Sequence, residues 1–147
     1  MGESLFGRVV VPVASRDDAA ATAAALAPYI DAPDRTVIAV HVIEKADGAL
    51  DKASVEQREA DAEAMFGIVT EGLDGVDATL DTEIRYGTDV AATLVEAAHD
   101  VEASAIVFTP RGGSRWKQLL SGDVTHNLVH ESDVPVVVLP DREVNGS

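Results

Sequence analysis

Cysteine is absent from this chain, which excludes disulfide bonds, thiolate metal sites and a cysteine nucleophile. Lysine and arginine are scarce: 11 of them stand against 26 aspartate and glutamate residues, and the formal net charge is −15. A field of that sign repels nucleic acids and anionic membranes, so neither is expected as a partner. No apolar run approaches the roughly 18 residues of a membrane span, and the first residues lack the basic and apolar regions of a secretory signal. We therefore expect a cytoplasmic protein.

The remaining composition is that of a folded domain. Hydrophobic residues make up 46% of the 147 positions, which excludes the class of disordered chains that combine low hydrophobicity with high charge. This length predicts one domain over residues 1–140, followed by a polar tail at 141–147. We expect a halophilic protein, adapted to a salt-rich cytoplasm in which the Debye length is about 3 Å at 1 M.

Short apolar runs alternate with stretches of helical period, a pattern typical of a parallel α/β sheet with helices on both faces. The predicted strands span residues 8–13, 36–43, 79–86, 105–108 and 134–139. The first three predicted helices begin near residues 16, 52 and 88, and a fourth ends near residue 132. Ser15 is a plausible N-cap of the first helix, and Asp17 and Asp18 in its first turn suit the positive end of the helix dipole.

Two strands predict the order of the sheet. The uninterrupted run Val9-Val10-Val11 indicates a strand buried on both faces, whereas residues 79–86 alternate apolar and polar side chains and indicate an edge strand. Right-handed crossovers then favour the strand order 3-2-1-4-5. In that order, the ligand crevice lies between the first and fourth strands.

The fifth predicted strand forms the other edge of the sheet and has little protection. Its apolar residues carry no charge, and Pro135 is the only residue there that discourages strand pairing. We therefore expect a homodimer that forms through this last strand. The dimer edge would consist of Val134, Val136, Val137, Val138 and Leu139.

The segment after the fourth strand, residues 109–117, concentrates basic side chains. Arg111, Arg115 and Lys117 lie within seven positions, which suggests attraction for an anion. Gly112 lets the backbone approach a phosphate closely, and the sequence Gly122-Asp123-Val124-Thr125 would offer N–H groups at a helix turn. A solvated loop without a ligand is the alternative interpretation.

Gly112, nine intervening residues and Gly122 resemble the nucleotide motif Gly-x2-Gly-x9-Gly-Ser/Thr of the universal stress protein family. The segments Val40-His41-Val42 and Leu119-Leu120-Ser121-Gly122 look like that family too. The resemblance implies a five-stranded, Rossmann-like parallel sheet like that of the adenine nucleotide α-hydrolases. It also implies dimerisation through the last strand and, in many members, ATP at the carboxyl ends of the first and fourth strands. The implied pocket contains Pro12, Val13, Ala14, Val42, Thr109, Arg111, Gly112, Gly122, Asp123, Val124 and Thr125.

Three positions depart from the pattern of the ATP-binding members. Ala14 replaces an Asp near the nucleoside, Thr109 replaces the first glycine of the motif, and Asp123 replaces its final Ser/Thr. A carboxylate about 4 Å from a phosphate costs about 1 to 4 kcal/mol, so these changes weaken binding of ATP or AMP with Mg²⁺. We expect a dimeric stress-response regulatory module with a degenerate nucleotide pocket, an unknown protein partner and no catalytic residues. The alternative is a genuine ATP/AMP-binding switch that hydrolyses ATP slowly.

Other candidate residues have simpler explanations. His126 and His130 have the i, i+4 spacing of a metal pair, but no third ligand is evident, so we expect exposed helix residues. His41 is expected to pack rather than catalyse. Trp116 is expected to cover the fourth helix, although it could also stack on an adenine.

Overall fold

The computed structural model describes residues 5–44, 52–108 and 133–139. The chain order within these residues is β1 (Arg8–Pro12), α1 (Arg16–Ile30), β2 (Thr36–Glu44), α2 (Lys52–Gly72), β3 (Thr79–Gly87), α3 (Val90–Asp100), β4 (Ala105–Phe108) and β5 (Val136–Val138). The predicted fourth helix falls outside the described residues.

All five strands form one parallel sheet in the order β3-β2-β1-β4-β5. This confirms the order predicted from the sequence. In the register of the central strand, Val9 lies opposite Val37 on β2 and opposite Ala105 on β4. β3 is an edge strand with no fully buried residue, as its alternating pattern predicts.

Alternate residues of the central strands pack into two separate cores, because successive side chains of a strand point to opposite faces of the sheet. Val9 and Val11 pack with Leu26 of α1 and Val69 of α2 on one face. On the other face, Val10, Ile38, Val40 and Ile106 pack with Leu94 of α3. The continuous valine run is therefore buried from both sides.

Helix α1 begins where the sequence predicts. The Ser15 side chain accepts a hydrogen bond from the Asp18 backbone N–H at 3.1 Å, which satisfies one of the free donors of the first turn. Helix α3 begins at Val90 rather than at the predicted residue 88. Asp89 acts as its N-cap and accepts from the Ala92 N–H at 3.1 Å.

Strand β5 is shorter than the predicted 134–139. It spans only Val136–Val138, and the preceding Pro135 has no N–H for the ladder, although its carbonyl accepts from the Ile106 N–H at 2.9 Å. Val134 packs against the α3 core instead. Helix α2 begins at Lys52, as predicted, and ends at Gly72.

Two further contacts fix the outer parts of the fold. Gly72 lies so close to α1 that an added Cβ would stand 2.6 Å from the Ala23 Cβ. Near the exposed edge, the Tyr86 hydroxyl of β3 donates a hydrogen bond to the Glu59 carboxylate of α2. These contacts tie α2 to α1 at one end and to β3 at the other.

Candidate functional site

The crevice predicted from the strand order lies at the carboxyl ends of β1 and β4. These two strands are neighbours in the sheet, with Val10 opposite Ile106. From β1 the chain continues to β2 on one side of this pair, whereas from β4 it continues to β5 on the other side. Ligands of open α/β sheets bind where the connections diverge in this way. The geometry therefore agrees with a crevice between β1 and β4.

The backbone turn after β1 is held tightly by β2. Pro12 and Val13 are buried, and the Val13 N–H donates to the Val40 carbonyl at 2.9 Å. His41 Nδ1 lies 2.8 Å from the Val13 carbonyl oxygen. Because a carbonyl only accepts, this nitrogen must carry the proton. His41 thus contacts the turn, and its Nδ1–H orients the Val13 carbonyl.

Asp18 secures the same turn from the side of α1. Its Oδ2 accepts from the Ala14 N–H at 2.8 Å, and its Oδ1 accepts from the Thr22 hydroxyl at 3.3 Å. The carboxylate is only 1% exposed. Such burial is tolerated because the carboxylate is hydrogen-bonded and lies in the first turn of α1, the positive end of the helix dipole.

This role of Asp18 was missed in the sequence, which indicated only a charge near the end of a helix. A signal for it exists: Ser15 and Asp18 have nearly the spacing and chemistry of a capping box, in which the third helical residue reaches back to the start of the helix. Here the carboxylate reaches one residue further back than usual, to the Ala14 N–H. Only the folded structure shows that this carboxylate is buried.

Four predicted pocket residues lie in the described part of the chain. Pro12 is the last residue of β1, Val13 and Ala14 form the turn that follows it, and Val42 lies on β2. Ala14 and Val42 pack in the same core on the α3 face, and Val42 is 9% exposed. Both residues therefore belong to the core on the α3 face of the sheet.

The other predicted site residues, Thr109, Arg111, Gly112, Gly122, Asp123, Val124 and Thr125, lie outside the described residues. Trp116, His126 and His130 do so as well. Their roles stay predictions from the sequence.

The predicted dimer edge is only partly accessible. Val138 is 49% exposed and Val136 and Val137 are half-buried, whereas Leu139 is 3% exposed and belongs to the core of its own chain. Just before β5, the exposed Asp133 carboxylate is hydrogen-bonded to His99 Nε2 at the end of α3. This bond lowers the pKa of Asp133.

The described residues hold no group of three or more side chains suited to a metal ion. Within the same ranges, no helix is long and apolar enough to cross a membrane. An open cavity of about 220 Å³ lies at the opposite end of the sheet from the crevice, near Val37, Thr79 and Leu80.

Comparison with solved structures confirms the fold. A universal stress family protein from Burkholderia pseudomallei aligns with a TM-score of 0.68 and 19% identity, over 95% of this chain and 99% of the other. The universal stress protein from Archaeoglobus fulgidus, in complex with dAMP, aligns with a TM-score of 0.64 and 18% identity, over 92% and 99%. A universal stress family protein from Arabidopsis thaliana with AMP bound aligns with a TM-score of 0.62 and 14% identity, over 95% of each chain.

The search of curated proteins gave no match. The universal stress protein family, in contrast, matches residues 5–140, which is nearly the whole chain. This match agrees with the strand order and with the resemblance around Gly112 and Gly122. The chain belongs to the universal stress protein family.

Proposed function

We propose that this protein is a dimeric regulatory module of the stress response, with a nucleotide pocket of reduced affinity at the carboxyl ends of β1 and β4. Its output is a contact with another protein, and it carries no catalytic residues of its own. The observation that supports this best is the carboxyl end of β1, where β2 hydrogen-bonds the Val13 backbone and Ala14 packs on the core below α3.

Similar folds support the nucleotide part of the proposal. The Archaeoglobus fulgidus protein is in complex with dAMP, and the Arabidopsis thaliana protein has AMP bound. Their ligands share an adenine nucleoside with one phosphate. An adenine nucleotide is therefore the ligand class that we expect in this crevice.

The reduced affinity follows from both sides of the crevice. On the β1 side, Ala14 presents only a methyl group at the position where the ATP-binding pattern has an Asp. On the β4 side, we expect Thr109 to hinder close approach of the backbone and Asp123 to repel phosphate. Like charges about 4 Å apart cost about 1 to 4 kcal/mol, which corresponds to a roughly five-fold to several-hundred-fold loss of affinity.

The test is calorimetric titration of AMP, and of ATP with Mg²⁺, into the full chain in concentrated KCl. We expect no binding, or binding only at millimolar ligand, for the natural sequence. The double variant Thr109→Gly with Asp123→Ser should restore measurable affinity. No gain from the double variant would refute the account of these two positions.

A second candidate function is a true nucleotide switch, and the nucleotides in the two similar structures favour it. In this case Arg111, Gly112 and Gly122 hold the phosphates despite Asp123, and ATP is hydrolysed slowly. Micromolar affinity of the natural sequence would support the switch. Asp123→Ser would then change the affinity only slightly.

The dimer is proposed to form through β5. This strand lies at the outer edge of the sheet and leaves Val138 49% exposed, an apolar edge of the kind that proteins normally cover. Light scattering across a concentration series should give a dimeric mass for the natural sequence and a monomeric mass for Val138→Lys. The matched control is Thr82→Lys on the opposite edge strand, which should remain dimeric. A monomeric natural sequence would contradict the proposal.

A further inference from the structure

Asp18 is a buried carboxylate that the proposed function does not use. It is 1% exposed, lies in the first turn of α1 and stands directly behind the turn that follows β1. Burying a carboxylate is unfavourable unless hydrogen bonds compensate the lost hydration. Helix capping does not explain the burial of Asp18, because Ser15 already caps α1. The position of this carboxylate therefore needs another explanation.

The hydrogen bonds of the turn after β1 explain why Asp18 is buried there. The Val13 N–H and carbonyl are bound by β2, through the Val40 carbonyl and His41 Nδ1. The next donor, the Ala14 N–H, is bound by Asp18 of α1. Two consecutive residues of the crevice wall are thus fixed from two different elements. Loss of the Asp18 side chain would leave the Ala14 N–H without this acceptor and remove the side-chain hydrogen bond between the turn and α1.

We propose that Asp18 is a positioning residue of the crevice, which locks the turn at Val13 and Ala14 into the conformation that a ligand meets. Asp18 is too deeply buried to contact the ligand and acts through the Ala14 backbone. A turn fixed in advance lowers the entropy that binding must remove. The effect on ligand affinity rests on the proposed function, whereas the effect on the turn does not.

Hydrogen exchange of backbone amides, measured by NMR on the full chain without ligand, tests the effect on the turn. In Asp18→Ala, protection of the Ala14 amide should fall roughly ten- to a hundred-fold, the range for a lost hydrogen bond to a charged group. Asp18→Asn keeps an acceptor oxygen and should retain part of that protection. The matched control Asp17→Ala removes an exposed carboxylate from the same helical turn and should leave Ala14 unchanged.

The amides of Val10 and Val11 in the sheet serve as the internal reference. A fall in protection that is confined to the turn supports the positioning role. Unchanged protection of the Ala14 amide would overturn the positioning role, because Asp18 would then not hold the turn. An equal fall in protection at Val10 and Val11 would overturn it too, because Asp18 would then act only on the stability of the whole domain.

Titration of AMP tests the effect on the ligand and separates the two proposals. In a chain that binds AMP, the dissociation constant should rise at least ten-fold in Asp18→Ala, less in Asp18→Asn and not at all in Asp17→Ala. If AMP affinity is the same in all variants while the Ala14 amide exchanges faster, Asp18 does not position the ligand wall and the inference is wrong. If the natural sequence does not bind AMP at all, the nucleotide part of the proposed function fails, and the exchange of Ala14 alone decides the role of Asp18.

Discussion

Replacing Gly72 by alanine should destabilise the protein, although alanine is the better helix former. The new Cβ would stand 2.6 Å from the Ala23 Cβ, whereas carbon atoms prefer to be about 3.5 to 4.0 Å apart. Neither atom can rotate away, so α1 and α2 must separate by about 1 Å. Overpacking of this kind costs about 1 to 3 kcal/mol, and the helix propensity of alanine returns at most about 1 kcal/mol. With a mid-range overpacking cost of about 2 kcal/mol, the net loss should be about 1 kcal/mol.

Thermal unfolding followed by circular dichroism measures this effect. For a domain of this size, the expected loss lowers the melting temperature by roughly 2 to 4 °C. Gly67→Ala in the same helix is the matched control, because an added Cβ there has no atom within 4 Å, and it should raise the melting temperature slightly. Adding Ala23→Gly to Gly72→Ala should recover part of the loss. A Gly72→Ala variant as stable as the natural sequence would refute the close helix contact.

Three further predictions concern charge. The hydrogen bond to Glu59 raises the pKa of Tyr86. The stability that this bond contributes is therefore present below about pH 10 and is lost as the pH rises through the folded-state pKa. In Glu59→Gln, the pKa of Tyr86, followed by tyrosinate absorbance, should return towards the ordinary value for tyrosine. The hydrogen bond to His99 lowers the pKa of Asp133. The stability that this bond contributes is therefore present above about pH 4 and is lost as the pH falls through the folded-state pKa. In His99→Ala, the pKa of Asp133 measured by NMR should rise. The net charge of −15 predicts a melting temperature that rises with KCl, and a fall would contradict a halophilic protein.

The sheet was predictable because its signals are local. The run Val9-Val10-Val11 can be accommodated only in a strand covered on both faces, and the alternation of β3 marks an edge. Together with the handedness of crossovers, these two patterns leave few strand orders. Element ends were less predictable, because the start of α3 depends on the Asp89 side chain rather than on periodicity.

The strand order that positions the candidate site could be predicted, whereas the contacts around the turn after β1 could not. The strand order alone puts Val13 and Ala14 beside the end of β4. The contacts that hold this turn come from His41, 28 residues from Val13 in the chain, and from Asp18, 4 residues from Ala14. An acidic residue in the first turn of a helix is normally exposed, so its burial here depends on tertiary packing that the pattern does not contain. The hydrogen bonds that hold this turn were therefore visible only in the structure.

The position of β1 has a consequence for the order in which the protein is assembled. This strand is synthesised before the other four strands of the sheet, yet it lies in the middle of the sheet and pairs with Ala105 and Ile106, which are made much later. Until α3 and β4 follow, the face that carries Val10 and Ile38 has no cover. Domains with such distant pairings fold slowly and expose apolar surface meanwhile. A nascent chain that ends after β3 is therefore a natural client for chaperones, and truncation there should yield an aggregating fragment rather than a smaller domain.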